Sequence, residues 1–278
     1  AVFCASSGVQ PQTENVWYQA EKHGTSKICF INKMDRIGAD FFAVLQEIKT
    51  KLNTVPLALQ IPMGAEVHFE GVIDLVKMKA LYWTDENGET IAEKEIPATS
   101  QPEADEYRIK LLETLAEYDE TFFEIFMDTE HTVTVEMVTE AIQRVCRTGS
   151  AVPVLCGSAF KNKGIQPLLD AVVTYLPAPD QLADLQGRDP HTEEAVILER
   201  NEAASFSGLV FKVVIDKHMG RLAMLRVYSG IIKSGDTILN VRTGESFRIS
   251  RILQMQSDKT LSMDEAKAGD IVALTGIK

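Results

Sequence analysis

Three short apolar runs, Ala1–Ala5 (AVFCA), Lys27–Asn32 (KICFIN) and Val152–Ala159 (VPVLCGSA), are hydrophobic without alternation and end on small or polar residues. Strands of a parallel sheet covered on both faces look like this, and such sheets bind ligands beyond the strands' carboxyl ends. Helical spacing separates the runs. Thr13–His23 starts on Thr13 as its expected cap, carries Val16, Trp17 and Ala20 on one face and ends before Gly24. Asp40–Leu52 has the stripe Phe41, Val44, Leu45 and Ile48, and Gly164–Leu176 stops at Pro177. Residues 1–36 and 151–180 are therefore predicted to form one α/β domain with a parallel sheet.

Residues 37–150 are too long and too patterned to be a connection. Val55–Ile61, Val67–Leu75 and Lys79–Trp83 read as strands, Asp85–Glu89 (DENGE) as a turn, Gln101–Met127 as one or two acidic amphipathic helices and Thr134–Arg147 as another helix. The prediction is an inserted α+β subdomain. Residues 181–204 are acidic and weakly patterned, a linker or a pair of edge strands. From 205 to 278 short strands alternate with Gly-containing turns, which predicts a Greek-key β-barrel that runs out before it is complete. The chain opens in mid-strand pattern without an initiator Met, so it reads as an excised piece whose sheet edge at Ala1 is exposed to self-association.

Composition narrows the function. At 278 residues and 45% hydrophobic the chain can bury real cores, and a formal net charge of -12 argues against nucleic-acid binding by the surface as a whole. No apolar run reaches membrane-spanning length, so no membrane partner is expected. Cys4, Cys29, Cys146 and Cys156 form no C-x-x-C pair and sit singly among apolar residues. They are expected to be reduced, mostly buried small hydrophobes in a cytoplasmic protein.

The candidate chemistry lies at the ends of two predicted strands. In Phe30–Asp40 (FINKMDRIGAD) the Asp35 carboxylate can accept hydrogen bonds from the N1–H and 2-amino group of guanine, a donor pair adenine lacks. Asn32 can bond N7 and brace neighbouring loops, the Lys33 stem can lie across the purine face, and Met34 should turn inward. A helix N-cap with surface charge explains the same tetrapeptide equally simply. In CGSAFKNKG, the small residues Gly157, Ser158 and Ala159 would let a backbone N–H reach the 6-oxo group of a bound base, or would merely make a turn. The two motifs together, in this order on two strands of one sheet, point to guanine-nucleotide recognition.

These motifs, with GVIDLVKMKALYW, GSAFKNKGIQPLLDAVVTYLPAP, GRLAMLRVYSGIIKSGD and AGDIVALTGIK, resemble the elongation factor G family of translational GTPases along the whole chain. The resemblance implies an α/β fold comprising the C-terminal half of a P-loop-type GTPase domain, the inserted subdomain, and the β-barrel that follows. It assigns base recognition to Asn32, Lys33 and Asp35, with Gly157, Ser158 and Ala159 closing the pocket. It further implies GTP/GDP as cofactor, Mg2+ held by residues outside this chain, and GTP-driven movement of tRNA and mRNA. The ribosome is the implied partner, through rRNA and ribosomal proteins. The barrel, where Arg221, Arg226, Arg242, Arg248 and Arg251 supply local positive charge, would meet the small subunit. The acidic helices at Glu103–Glu124 would meet stalk proteins. A solvated face accounts for either set of charges as well.

The chain contains no Gly-Lys dipeptide and hence no G-x-x-x-x-G-K-[ST] phosphate loop. Its D-x-x-G stretches, DRIG, DENG and DLQG, fall in the base motif, the insertion turn and the linker. His23, His68, His131, His191 and His218 match no catalytic position, so no catalytic or metal-binding residue is nominated. The expectation is guanine recognition without phosphate binding or hydrolysis, and weak GDP affinity. A release-factor-recycling or ribosomal-protection GTPase of the same architecture is the alternative within the class, and a non-catalytic ribosome-docking module the alternative outside it.

Overall fold

The computed structural model describes residues 1–128, 132–189, 192–217, 219–256 and 259–277. His131, His191 and His218 lie outside the described residues, as does the last position of the expected barrel. The chain divides into two compact units, Ala1–Pro177 and Ala178–Lys278.

The first unit begins with β1 (Val2–Cys4), α1 (Pro11–Lys22), β2 (Cys29–Asn32) and α2 (Phe41–Lys51). Next come β3 (Pro56–Ala58), β4 (Gln60–Met63), β5 (Gly71–Asp74), β6 (Lys79–Trp83) and β7 (Ile91–Lys94). The helices α3 (Gln101–Tyr118), α4 (Glu120–Met127) and α5 (Val135–Thr148) lead to β8 (Val152–Cys156) and α6 (Ile165–Tyr175). Strands β1, β2, β8 and β3 form a parallel sheet in the order β1-β2-β8-β3. Cys29, Ile31, Val154 and Cys156 in its two central strands are fully buried, as unalternating strands between covered faces must be.

Several boundaries differ from expectation, each for a local reason. Helix α1 starts at Pro11 behind Gln10 rather than on Thr13; proline fits the first helical position because the N–H it lacks has no partner there anyway. The stretch 55–61 is two strands. β3 pairs with β8 in the parallel sheet, which takes α2 and β3 out of the expected insertion and starts the excursion after Ala58. Leu59 bridges the two sheets, donating its N–H to Val154 O at 3.0 Å and accepting Leu75 N–H at 2.9 Å. Of the expected strand 67–75, only Gly71–Asp74 is extended, because Glu66–His68 make a 3-10 turn entered through left-handed Gly64 and Glu66. Strands β4, β5, β6 and β7 then form an antiparallel meander, one strand longer than expected because of β7.

Helix α5 shows the clearest amphipathic logic: Val138, Ala141, Ile142, Val145 and Cys146 are all buried at helical spacing. Thr134 caps its start through Met137 N–H, and Gly149, at φ 74°, ends it. The acidic stretch 101–127 is two helices because Asp119, 7% exposed, breaks it. The Asp119 carboxylate caps α4 by accepting Phe122 N–H at 2.6 Å and also takes Arg144 Nε at 2.6 Å and a second guanidinium N–H at 3.1 Å. Arg144 keeps 33% side-chain exposure, which softens the penalty of stranding it. Asp119→Ala should therefore cost about 3 kcal/mol, near the low end for breaking a buried pair together with a cap. Urea unfolding followed by Trp fluorescence measures this in the right unit, because both tryptophans, Trp17 and Trp83, are buried in it.

The second unit runs β9 (Leu185–Arg188), β10 (Ala195–Leu198), β11 (Ser207–Asp216), β12 (Gly220–Ser229), β13 (Ile231–Lys233), β14 (Thr237–Asn240) and β15 (Glu245–Arg248). It continues with β16 (Arg251–Gln256), β17 (Lys259–Met263), β18 (Glu265–Lys267) and β19 (Ile271–Thr275). The segment 181–204 contains an antiparallel pair, β9 with β10. The main sheet has the crossed order β11-β12-β19-β16-β17, with two-stranded ribbons β13-β18 and β14-β15 beside it. Leu225, Val227, Ile252 and Leu274 centre its core. Strand β11 is a sheet edge and leaves Leu209, Phe211 and Ile215 exposed, the last at 83%.

Candidate functional site

Strands β2 and β8 are parallel neighbours in register, Ile31 opposite Cys156, so the loops leaving their carboxyl ends lie side by side. The Asn32 side chain ties them together. Its Oδ1 accepts Lys33 N–H at 2.7 Å and, 127 residues along the chain, Ala159 N–H at 2.9 Å. Two converging donors fix which end of the amide faces them, so Nδ2 points away, a donor without a partner among the described residues. Lys33 is held at φ 67°, a left-handed conformation that is uncommon without glycine and is found at functional sites. Met34 is fully buried; its N–H bonds Gly157 O at 3.1 Å and its carbonyl takes Glu66 N–H at 2.8 Å. Asp35, between this anchor and solvent, is half-buried, and its carboxylate has no partner among the described residues. The helix-cap alternative for the motif falls to a different residue: Asp40 caps α2, accepting Ala43 N–H at 2.9 Å.

The second loop is tightly closed. Gly157 N–H bonds Ile31 O at 3.0 Å, and Ser158 and Lys163 exchange both backbone bonds at 2.9 and 3.0 Å. A Cβ on Gly157 would stand 2.3 Å from Lys163 O, so glycine is required for packing alone. Ser158 is fully buried and shapes the turn. The N–H groups of Gly157, Ser158 and Ala159 are all engaged within the protein, the last by Asn32 Oδ1. The Phe160 N–H has no partner among the described residues, and the Phe160 ring is 95% exposed. Nothing in the sequence marks this aromatic for solvent.

Asn162, Gln166, Trp83 and Glu66 also hold these loops, and sequence reasoning does not find them. The only signal is the turn composition around Asn162, which sits at φ 51°. The thiols beneath the site are inert: burial pushes Cys29 and Cys146 up to about 12 and Cys156 further. Cys4 is half-buried; burial pushes it up, but hydrogen bonds from Ser6 and Ser7 outweigh that and bring it to about 7. Among the described residues no group of His, Cys, Asp or Glu is arranged to hold a metal ion, and no helix is long and apolar enough to cross a membrane. In the second unit Arg221, Arg242, Arg248 and Arg251 are exposed and Arg226 half-buried; among the described residues none makes an ion pair.

Residues 1–178 match the family model described as elongation factor Tu GTP binding domain, and residues 205–278 match elongation factor G domain 2. Elongation factor G of Amoebophilus asiaticus (strain 5a2) is 48% identical over all of this chain, which spans 39% of that protein's length. A crystal structure from Thermus thermophilus superposes with a TM-score of 0.79 at 26% identity, covering 99% of this chain and 38% of that one.

Proposed function

Because this chain belongs to the elongation factor G family of translational GTPases, we propose that it is the guanine-reading and second-domain part of a ribosomal GTP hydrolase that moves tRNA and mRNA in the cytoplasm. The observation that carries the base assignment is the Asn32 carboxamide joining both loops while the Asp35 carboxylate stays unpaired and the Lys33 side chain exposed. Asp35 accepts the N1–H and 2-amino hydrogens of guanine, Asn32 Nδ2 donates to N7, and the Lys33 stem covers one face. An unpaired carboxylate half out of water penalises any base that cannot supply two donors.

Phosphate binding, Mg2+ and hydrolysis belong to the longer factor. This chain has no Gly-Lys dipeptide and hence no phosphate loop of the G-x-x-x-x-G-K-[ST] type. The base contacts alone supply a few hydrogen bonds at about 1 kcal/mol each, so GDP affinity is expected to be weak, in the millimolar range. The exposed arginines of the second unit are proposed to face the small ribosomal subunit, and the acidic helices α3 and α4 the stalk proteins. The exposed sheet edge at β1 is proposed to favour self-association of the chain by itself.

Titration with GDP and with ADP, read by amide chemical shifts, tests the base site. GDP should move the Lys33, Asp35 and Ala159 signals with or without magnesium, and ADP should leave them in place. An equal response to both nucleotides removes the base-reading role and leaves a docking scaffold.

A further inference from the structure

The inserted meander grips both base loops from outside the parallel sheet. On the first loop, Glu66 donates its N–H to Met34 O at 2.8 Å and accepts Gly38 N–H on its carboxylate at 2.7 Å. On the second, the turn between β6 and β7 meets the loop that runs into α6. Asn162 Nδ2 donates to Asn87 O and Gly88 O at 3.1 and 3.0 Å, and Gln166 Nε2 donates to Gly88 O at 2.6 Å. Gln166 uses its other end as well, accepting Trp83 Nε1–H from β6 at 3.2 Å. One carbonyl of the insertion thus takes two side-chain donors, Asn162 from the base loop and Gln166 from the first turn of α6.

The approach is close enough to dictate residue type. A Cβ on Gly88, at φ 67°, would lie 2.6 Å from Lys161 O and 2.8 Å from Asn162 O. The turn is also braced internally: the Asp85 carboxylate accepts the N–H groups of Glu89 and Thr90, which hold its pKa down at about 2. A braced turn transmits position; a floppy one would not.

We propose that the insertion is the positioning element of the guanine site, which rests on the base-binding function proposed above: Glu66 sets the Asn32–Asp35 loop, and Gly88, through Asn162 and Gln166, sets the 157–163 loop. Base contacts made by Asp35 and Ala159 then depend on residues that never touch the nucleotide. Displacing the meander loosens both loops. This is coupling through a contiguous hydrogen-bonded path.

Three substitutions test it in the whole chain. Asn162→Gly keeps the left-handed backbone and removes the donor. Gln166→Glu keeps the acceptor for Trp83 and loses the donor to Gly88. Glu66→Asn tolerates its φ of 56° but is too short to reach Gly38. Hydrogen exchange read by NMR should quicken about tenfold at Ser158, Ala159 and Lys163 in the first two variants and at Met34 and Gly38 in the third. Exchange at Val154 and Leu81 inside the sheets should stay as it was, which separates loosening from unfolding. The shift response of Asp35 to GDP should shrink in parallel. Unchanged loop exchange, or exchange that rises everywhere, overturns the positioning role. Faster loop exchange in a protein whose wild type does not distinguish GDP from ADP keeps the positioning role and removes the base site instead.

Discussion

Asp35→Asn is expected to turn a guanine reader into a xanthine reader. The carboxylate offers two acceptors to the N1–H and 2-amino donors of guanine; the amide offers one acceptor and one donor, which suits the N1–H and 2-oxo group of xanthine. For guanine the change removes one charge-assisted bond and sets an NH2 against another NH2, a loss of about 3 kcal/mol or roughly a hundredfold in affinity. Xanthine gains by a similar route. Because the Asp35 carboxylate has no protein partner among the described residues, the same substitution should leave folding stability within about 0.5 kcal/mol of the original. Parallel titrations with GDP and XDP measure the switch, and urea unfolding measures the stability. A variant that still prefers GDP would show that Asp35 does not touch the base edge.

The parts of this molecule that are legible in the sequence are those fixed by short-range pattern. Unalternating runs give away the edge strand β1 and the buried strands β2 and β8, and the 3.6-residue stripe of Val138, Ala141, Ile142, Val145 and Cys146 marks α5. The residues proposed to read the base are legible as a polar cluster at a strand end, Asn32 closing β2 and Lys33 and Asp35 following it. What stays hidden depends on partners far along the chain. Nothing near 55–61 says that Leu59 must divide its backbone bonds between two sheets. The reach of Gln166 to Gly88 spans 78 residues, and that of Asn32 to Ala159 spans 127. The second of these also shows what a run of small residues does not reveal in sequence: the amides of Gly157, Ser158 and Ala159 already have acceptors within the protein. The edge position of β11 is set by the sheet order and is likewise not marked in its own sequence.

Gly157→Ala separates reading from scaffolding and should be the most damaging single methyl in the site. Its Cβ would lie 2.3 Å from Lys163 O, 2.9 Å from the Phe30 ring and 3.1 Å from Gly164 Cα, so backbone is in the way on two sides and a buried aromatic on the third. Gly157 has no positive φ, so the penalty is steric. Relief requires Lys163 to move, but Lys163 O is the acceptor of Ser158 N–H, and Ser158 carries Ala159 against Asn32. Overpacking without an escape route costs about 3 kcal/mol. The expected result is a loss of that size in urea unfolding read by Trp17 and Trp83, together with disappearance of the GDP response. Asp35→Asn, by contrast, changes base preference at nearly constant stability. If Gly157→Ala unfolds at the original urea midpoint, the 157–163 loop has slack, and the tight coupling from Phe30 through Lys163 to Ala159 is not what holds the base pocket in shape.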